Sequence, residues 1–242
     1  MDPRYKSPVA VVDDRDASAF RNLHTLTTTV RWLLYGATVL VVLSLVSSWM
    51  QLELLSRPYT QAEGRENDLR EGAIGGLAFL VMIATFICFG RWIVLAHRNL
   101  PALGARHIEF TPGWGLGWFF IPVMNWWKPY QAMKSLWQMS RHVHKPDVQD
   151  TTWVLPTWWT LWLISSFIGG ILFRMQMRGE NTVEKLGDIT RLTIANGFVD
   201  LFLNLVAAIL VGRIWMAQRA QHENPGEFAP PAGFADGASP AA

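Results

Sequence analysis

The chain has almost no thiol and little charge. A single cysteine, Cys88, among 242 residues excludes an intrachain disulfide and any zinc or iron–sulfur cage built from cysteines. Cys88 falls in a long apolar run, where a thiol reads as a packing residue rather than a reactive one. Asp, Glu, Lys and Arg supply only 17% of the residues while half are hydrophobic, a balance that excludes an ordinary soluble domain. The net charge of +2 is too small to define a partner. No Ser/His/Asp set or Cys/His pair is spaced for nucleophilic catalysis, so an enzyme is not the expectation. His24, His97, His107, His142, His144 and His222 all lie outside the apolar runs and lack an H-E-x-x-H pattern. That argues against a haem held between facing spans and against a metal centre, and no cofactor is expected. The first thirty residues carry Arg and Asp throughout and have no short apolar core, so no signal peptide is expected and the first span should serve as an uncleaved anchor.

What is present is tryptophan, thirteen of them, and four apolar runs long enough to cross a bilayer. The runs fall at about 32–52, 72–92, 151–173 and 192–213. Lipid leaves backbone polar groups no partner outside a helix, so each run predicts a spanning α-helix. The expected architecture is all-α: a polytopic membrane protein of four transmembrane helices occupying 18–223. It follows a disordered arm over 1–17 and precedes a disordered Pro-, Gly- and Ala-rich tail over 224–242. The arm is expected to enter its helix near Ser18 as N-cap, and Glu63 to Arg70 reads as a charged helical lead-in to the second span. Fourteen of the 21 Lys and Arg residues lie in the arm, the middle connection and the tail, and seven in the other two loops. The positive-inside rule then places both termini and the middle connection in the cytoplasm of a multi-pass inner-membrane protein.

One carboxylate interrupts this pattern. Asp200 lies within the fourth run, with Asn196 and Asn204 at i−4 and i+4 on the same helix face. A charge at that depth costs ~3 kcal/mol on insertion scales and marks an interhelical clamp or a functional group. At 1.5 Å per residue Asp200 lies ~12 Å in from Leu192, a depth that falls near Ser165 and Ser166 on the antiparallel third span, with Thr85 slightly deeper on the second. Ser44-x-x-x-Ser48, Ser165-x-x-x-Gly169, Ser166-x-x-x-Gly170 and the cluster Gly72, Gly75 and Gly76 predict close helix approach, within the chain or between copies.

The second unusual stretch is the connection 112–141, PGWGLGWFFIPVMNWWKPYQAMKSLWQMSR. Beyond Pro129, Tyr130, Met133, Leu136, Trp137 and Ser140 recur at helical spacing, with Gln131, Lys134, Gln138 and Arg141 opposite. This predicts an amphipathic elbow between the second and third spans, its apolar face in the acyl boundary and its basic face at anionic headgroups. The piece before it should be a second interfacial helix or a shallow re-entrant segment. Trp114, Trp118, Trp126, Trp127, Lys128, Tyr130, Lys134, Trp137 and Arg141 are the candidate lipid or partner contacts. Gly113, Gly115 and Gly117 do not make a phosphate loop, since no strand precedes them; they are expected to let aromatic rings crowd. Basic residues among tryptophans next to four spans point to lipid rather than nucleic acid. A faint echo pairs Gly90-Arg91-Trp92 with Gly212-Arg213-Ile214 and Ala96-His97-Arg98 with Ala217-Gln218-Arg219.

Arg98-Asn99-Leu100, Ala102-Leu103-Gly104, Pro112-x-Trp114, Gly117-Trp118, Pro122, Asn125, Trp127, Pro129-Tyr130, Met133 and Trp137 together resemble a bacterial membrane-protein family known only as domain of unknown function 4328. The resemblance covers roughly 91–141. It implies an integral membrane protein of about four helices and supplies no substrate, cofactor or catalytic residue. The expected role is therefore a non-enzymatic protein that binds or organises membrane lipids, a second copy of itself or another membrane protein through the elbow. The alternatives are an oligomeric transporter or ion-coupled device using Asp200, and a lipid-acting enzyme using Asp200, Arg91 or His97.

Overall fold

The computed structural model describes residues 20–105, 108–142, 152–178 and 182–224. All regular structure among them is helical. Four helices are long and apolar enough to cross a membrane: α1 (His24–Leu55), α2 (Gln61–Arg98), α5 (Val154–Met177) and α6 (Val183–Glu223). Between α2 and α5 lie two shorter helices, α3 (Pro112–Gly117) and α4 (Lys128–Met139). Ser18, Arg106, His107, His144 and Lys145, the arm to residue 17 and the tail from residue 225 lie outside the described residues.

Helix ends follow local chemistry. α1 begins at His24, later than the sequence suggests, because Phe20 to Leu23 are non-helical and the Asn22 carboxamide accepts from the His24 N–H at 2.9 Å. α2 opens on a capping box: Thr60 N–H donates to Glu63 Oε2 at 2.8 Å and Glu63 N–H donates back to Thr60 Oγ1 at 3.3 Å, with Arg57 on the same carboxylate at 2.7 Å. α3 has Thr111 as N-cap and Pro112 in its first turn. Gly104, at φ 93°, closes the 3-10 turn Pro101–Leu103 in a left-handed conformation that a side chain would strain.

The chain divides into two compact units. The first, the span unit, comprises Thr28–Phe89 and Trp153–Val211. Its outer surface is apolar: Trp32, Leu77, Phe79, Leu80, Ile87, Phe167 and Phe202 are all exposed, and the most apolar stretch of α2 contains no buried residue. An exposed apolar surface of this kind fits lipid as its solvent. Polar contacts join α1 to the start of α2: Arg70 donates to Ser47 Oγ at 2.8 Å and to Asn67 Oδ1 at 2.6 Å, and Ser47 Oγ donates to Glu71 at 2.6 Å. Of the small residues named from the sequence, Ser48 is buried and the glycines are not packed within the chain. A Cβ on Gly72, Gly75, Gly76, Gly169 or Gly170 would touch nothing within 4 Å, so these glycines are not helix contacts within the chain. Gly197 is one: a Cβ there would lie 2.8 Å from Leu45 Cδ2, so α6 and α1 approach closely at this point.

The second, the connection unit, comprises Met1–Thr27, Gly90–Thr152 and Gly212–Ala242. It has a packed core of Trp92, Ile93, Leu100, Met133, Leu136, Trp137 and Ile214, each 1% exposed or less. The echoed segments take matching roles: Trp92 and Ile214 are buried, as are His97 and Gln218, while Arg91, Arg213, Arg98 and Arg219 are exposed.

Candidate functional site

Two groups of side chains stand out, one in each unit. In the span unit, Ser165 Oγ donates to Asp200 Oδ1 at 2.5 Å and Asn196 Nδ2 donates to Asp200 Oδ2 at 2.8 Å. Asn196 Oδ1 is buried with no hydrogen-bond partner among the described residues. The other three candidates stand apart: Ser166 is exposed, Asn204 makes no side-chain hydrogen bond among the described residues, and Thr85 Oγ1 turns back to the Val81 carbonyl of its own helix at 2.7 Å. A carboxylate held by one hydroxyl and one carboxamide is a polar clamp between α5 and α6. No cluster of three metal-ligating side chains occurs among the described residues.

The connection unit is built around carboxamides. Asn99, fully buried, accepts from the Arg21 N–H at 3.0 Å and donates to the Arg21 carbonyl at 2.9 Å, so one side chain pairs with both backbone groups of the N-terminal arm. It also donates to Gln218 Oε1 at 3.3 Å, and Gln218 Nε2 donates to the Ala96 carbonyl at 2.9 Å and to Ser140 Oγ at 3.0 Å. Trp92 Nε1 donates to Thr27 Oγ1 at 3.0 Å, and Phe20 stacks on His222 at 4.0 Å. These contacts tie the entry of α1 to the ends of α2, α4 and α6. Asn99, Gln218 and Ser140 each fall in a stretch the sequence singles out, but nothing in those patterns predicts that the three share one hydrogen-bond network.

The elbow helix departs from expectation. The apolar face of α4 does not lie in the acyl boundary: Ala132, Met133, Leu136 and Trp137 are buried against the protein, and Ser140 is fully buried as the Gln218 partner. The stripe has the period of an interfacial helix, but the core of the unit covers it. Trp137 is therefore withdrawn from any lipid or partner, and Arg141 lies 5.3 Å over its ring. Tyr130 is half-buried and Lys134 exposed. The preceding piece is neither one long helix nor a smooth loop. It runs through α3, a 3-10 turn at Trp118–Phe120, a tight turn at Pro122–Met124 and a second 3-10 turn at Met124–Trp126. Of the glycines, Gly115 faces the His97 ring and Gly117 the Trp114 ring, while a Cβ on Gly113 would meet nothing. His97 itself is buried, its Nδ1 bonded to the Ile93 carbonyl at 2.8 Å, so its imidazole is a packing element out of reach of a substrate.

What remains on the surface is aromatic and basic. Trp114, Phe120, Val123, Trp126 and Trp127 are exposed, and Trp114 packs on Trp118 at 4.7 Å. The Lys128 ammonium lies 5.8 Å from the Phe110 ring and 5.7 Å from the Trp118 ring. Among its described residues the connection unit carries Arg21, Arg91, Arg98, Lys128, Lys134, Arg141, Arg213 and Arg219 against Glu109 and Glu223, a surplus of six. The span unit has eight basic and eight acidic residues among those described, a balance of zero. Residues 110–146 contain no Asp or Glu at all.

No curated protein and no solved structure is significantly similar to the chain. The family described as "Domain of unknown function (DUF4328)" matches over residues 56–215, a range that takes in α2 to α5 and most of α6 and leaves out α1. That range covers more than half of the sequence, and the chain belongs to this family.

Proposed function

We propose that this protein is a non-enzymatic membrane protein that binds and organises anionic lipid, or a partner at the lipid surface, through the connection unit. Both termini and that unit then face the cytoplasm. The distribution of charge among the described residues supports this reading: an apolar-surfaced span unit with eight basic and eight acidic residues, joined to a unit with eight basic and two acidic residues and exposed tryptophans. Basic side chains near an anionic leaflet contribute ~1 kcal/mol each, and tryptophan favours the same depth. Replacing Lys128, Lys134 and Arg141 together by Gln should lower the preference for phosphatidylglycerol over phosphatidylcholine by about tenfold or more, the ideal sum being reduced by exposure and by cation–π contacts. The preference is read by tryptophan quenching with brominated lipids. An unchanged preference rejects the reading.

Asp200 supports a second reading, an ion- or proton-coupled device, and its neighbours make the distinction testable. In Asp200→Asn the introduced amide can donate to the Asn196 oxygen that now has no partner, once the Asn196 carboxamide turns over. The clamp should survive and the thermal midpoint should hardly move. Asp200→Leu strands the Ser165 hydroxyl and the Asn196 amide and should cost ~1–2 kcal/mol. Proton-coupled flux in vesicles that disappears in a folded Asp200→Asn variant establishes the transport reading; the clamp reading expects no such flux.

A further inference from the structure

We infer that the turn at 120–126 is a membrane-inserting tip that places Phe120, Val123 and Trp126 below the headgroups of the leaflet it faces. This rests on the lipid-binding reading above and specifies which residues enter the bilayer. Phe120, Val123 and Trp126 are 63%, 65% and 61% exposed, on a chain segment of seven residues. Polar loops do not expose three large apolar side chains so close together without a use for them.

The backbone gives a second, independent sign. Val123 has φ 68° and ψ −56°, and the Met124 N–H donates to the Pro122 carbonyl at 2.7 Å. That is a γ-turn with positive φ at a β-branched residue, a conformation such side chains rarely adopt and one found where function demands it. Glycine would suit the turn better. The turn is nevertheless well formed: Asn125 N–H donates to the Ile121 carbonyl at 2.9 Å and Trp126 N–H to the Val123 carbonyl at 3.2 Å. A strained residue on a rigid tip, pointing an apolar side chain outward, is a wedge rather than a slack loop. Bilayer lipid is the occupant because the surrounding stretch is free of acidic residues from 110 to 146. Lys128, two residues beyond Trp126, can hold headgroup phosphates while the tip enters the acyl boundary.

A spin label tests the tip in the full-length protein. In Cys88→Ala/Val123→Cys, reconstituted in nanodiscs of mixed phosphatidylglycerol and phosphatidylcholine, the label should be accessible to oxygen, shielded from a water-soluble nickel chelate and about 5–10 Å below the headgroup boundary. The same label at Gln131, an exposed position on α4, should show the opposite accessibility. A label at position 123 open to the nickel chelate overturns the insertion, while lipid selectivity that still depends on the three basic residues leaves the broader reading intact. A label closed to both reagents means that protein covers the tip, and this also overturns the proposal. Val123→Gly provides the complementary measurement. It should raise the thermal midpoint by a few degrees in detergent and reduce the insertion depth of a label at position 126. A lowered midpoint removes the strain from the case.

Discussion

Gly115→Val should disrupt the connection unit by overpacking its core. A Cβ at this position lies 2.8 Å from His97 Cε1, closer than such atoms sit, and 3.0 Å from Nδ1. The ring cannot swing away, because it is buried and its Nδ1 is bonded to the Ile93 carbonyl. Overpacking a rigid core costs about 1–3 kcal/mol, and the branched side chain should reach the upper end. Gly115→Ala should cost less, since the better helix propensity of alanine returns ~1 kcal/mol within α3. The decisive variant is the pair. With His97→Ala already present, Gly115→Ala should become neutral or stabilising, giving a coupling energy of ~1–3 kcal/mol in thermal unfolding followed by circular dichroism. Additive effects would place the strain of Gly115 elsewhere.

Asn99→Ala should be nearly as damaging, for the opposite reason: it leaves too few partners rather than too many atoms. It strands the Arg21 N–H, the Arg21 carbonyl and Gln218 Oε1 in a buried site. Unpaired buried polar groups cost ~1–3 kcal/mol each, and partial access of water at Arg21 limits the total to ~3 kcal/mol. Asn99→Asp should fare no better. It keeps an acceptor for the Arg21 N–H but sets a carboxylate oxygen against the Arg21 carbonyl and the Gln218 oxygen, both acceptors. In either variant the arm is released from its clamp, so tryptic cleavage after Arg21 should accelerate well ahead of global unfolding. Cleavage at the wild-type rate in a folded variant would show that the arm is held by the Phe20 stack instead.

The spans were legible because hydropathy is a property of each segment alone. Nothing else in the fold has to be known to place one apolar run in each of α1, α2, α5 and α6, although α6, Val183–Glu223, extends well beyond the run 192–213 at both ends. Asp200 and Ser165 were legible for a related reason: rise per residue fixes depth, and antiparallel spans bring equal depths together. Legibility stopped where covering protein decides. The stripe Met133, Leu136 and Trp137 has the same period whether it faces acyl chains or a core, and the core claims it here. The other residues buried in the same unit, Trp92, Leu100 and Ile214 among them, are distant in sequence. Glycine patterns did not locate the close approach within the chain. Gly72, Gly75 and Gly76 have the spacing of a packing motif but no neighbour in the chain, whereas Gly197 carries no motif and makes the close approach. The start of α2 was read only as a charged lead-in from Glu63, without its Thr60 cap; Asn99 as a backbone clamp was not readable, since its partner Arg21 lies 78 residues away.

The central claim is that the connection unit selects anionic lipid, and native mass spectrometry of the chain released from nanodiscs tests it most directly. With phosphatidylglycerol and phosphatidylcholine present in equal amounts, the account predicts retained lipid enriched in phosphatidylglycerol. It also predicts that the enrichment disappears when Lys128, Lys134 and Arg141 are replaced by Gln. A protein that emerges bare, or with both lipids in the proportion of the bulk, contradicts it.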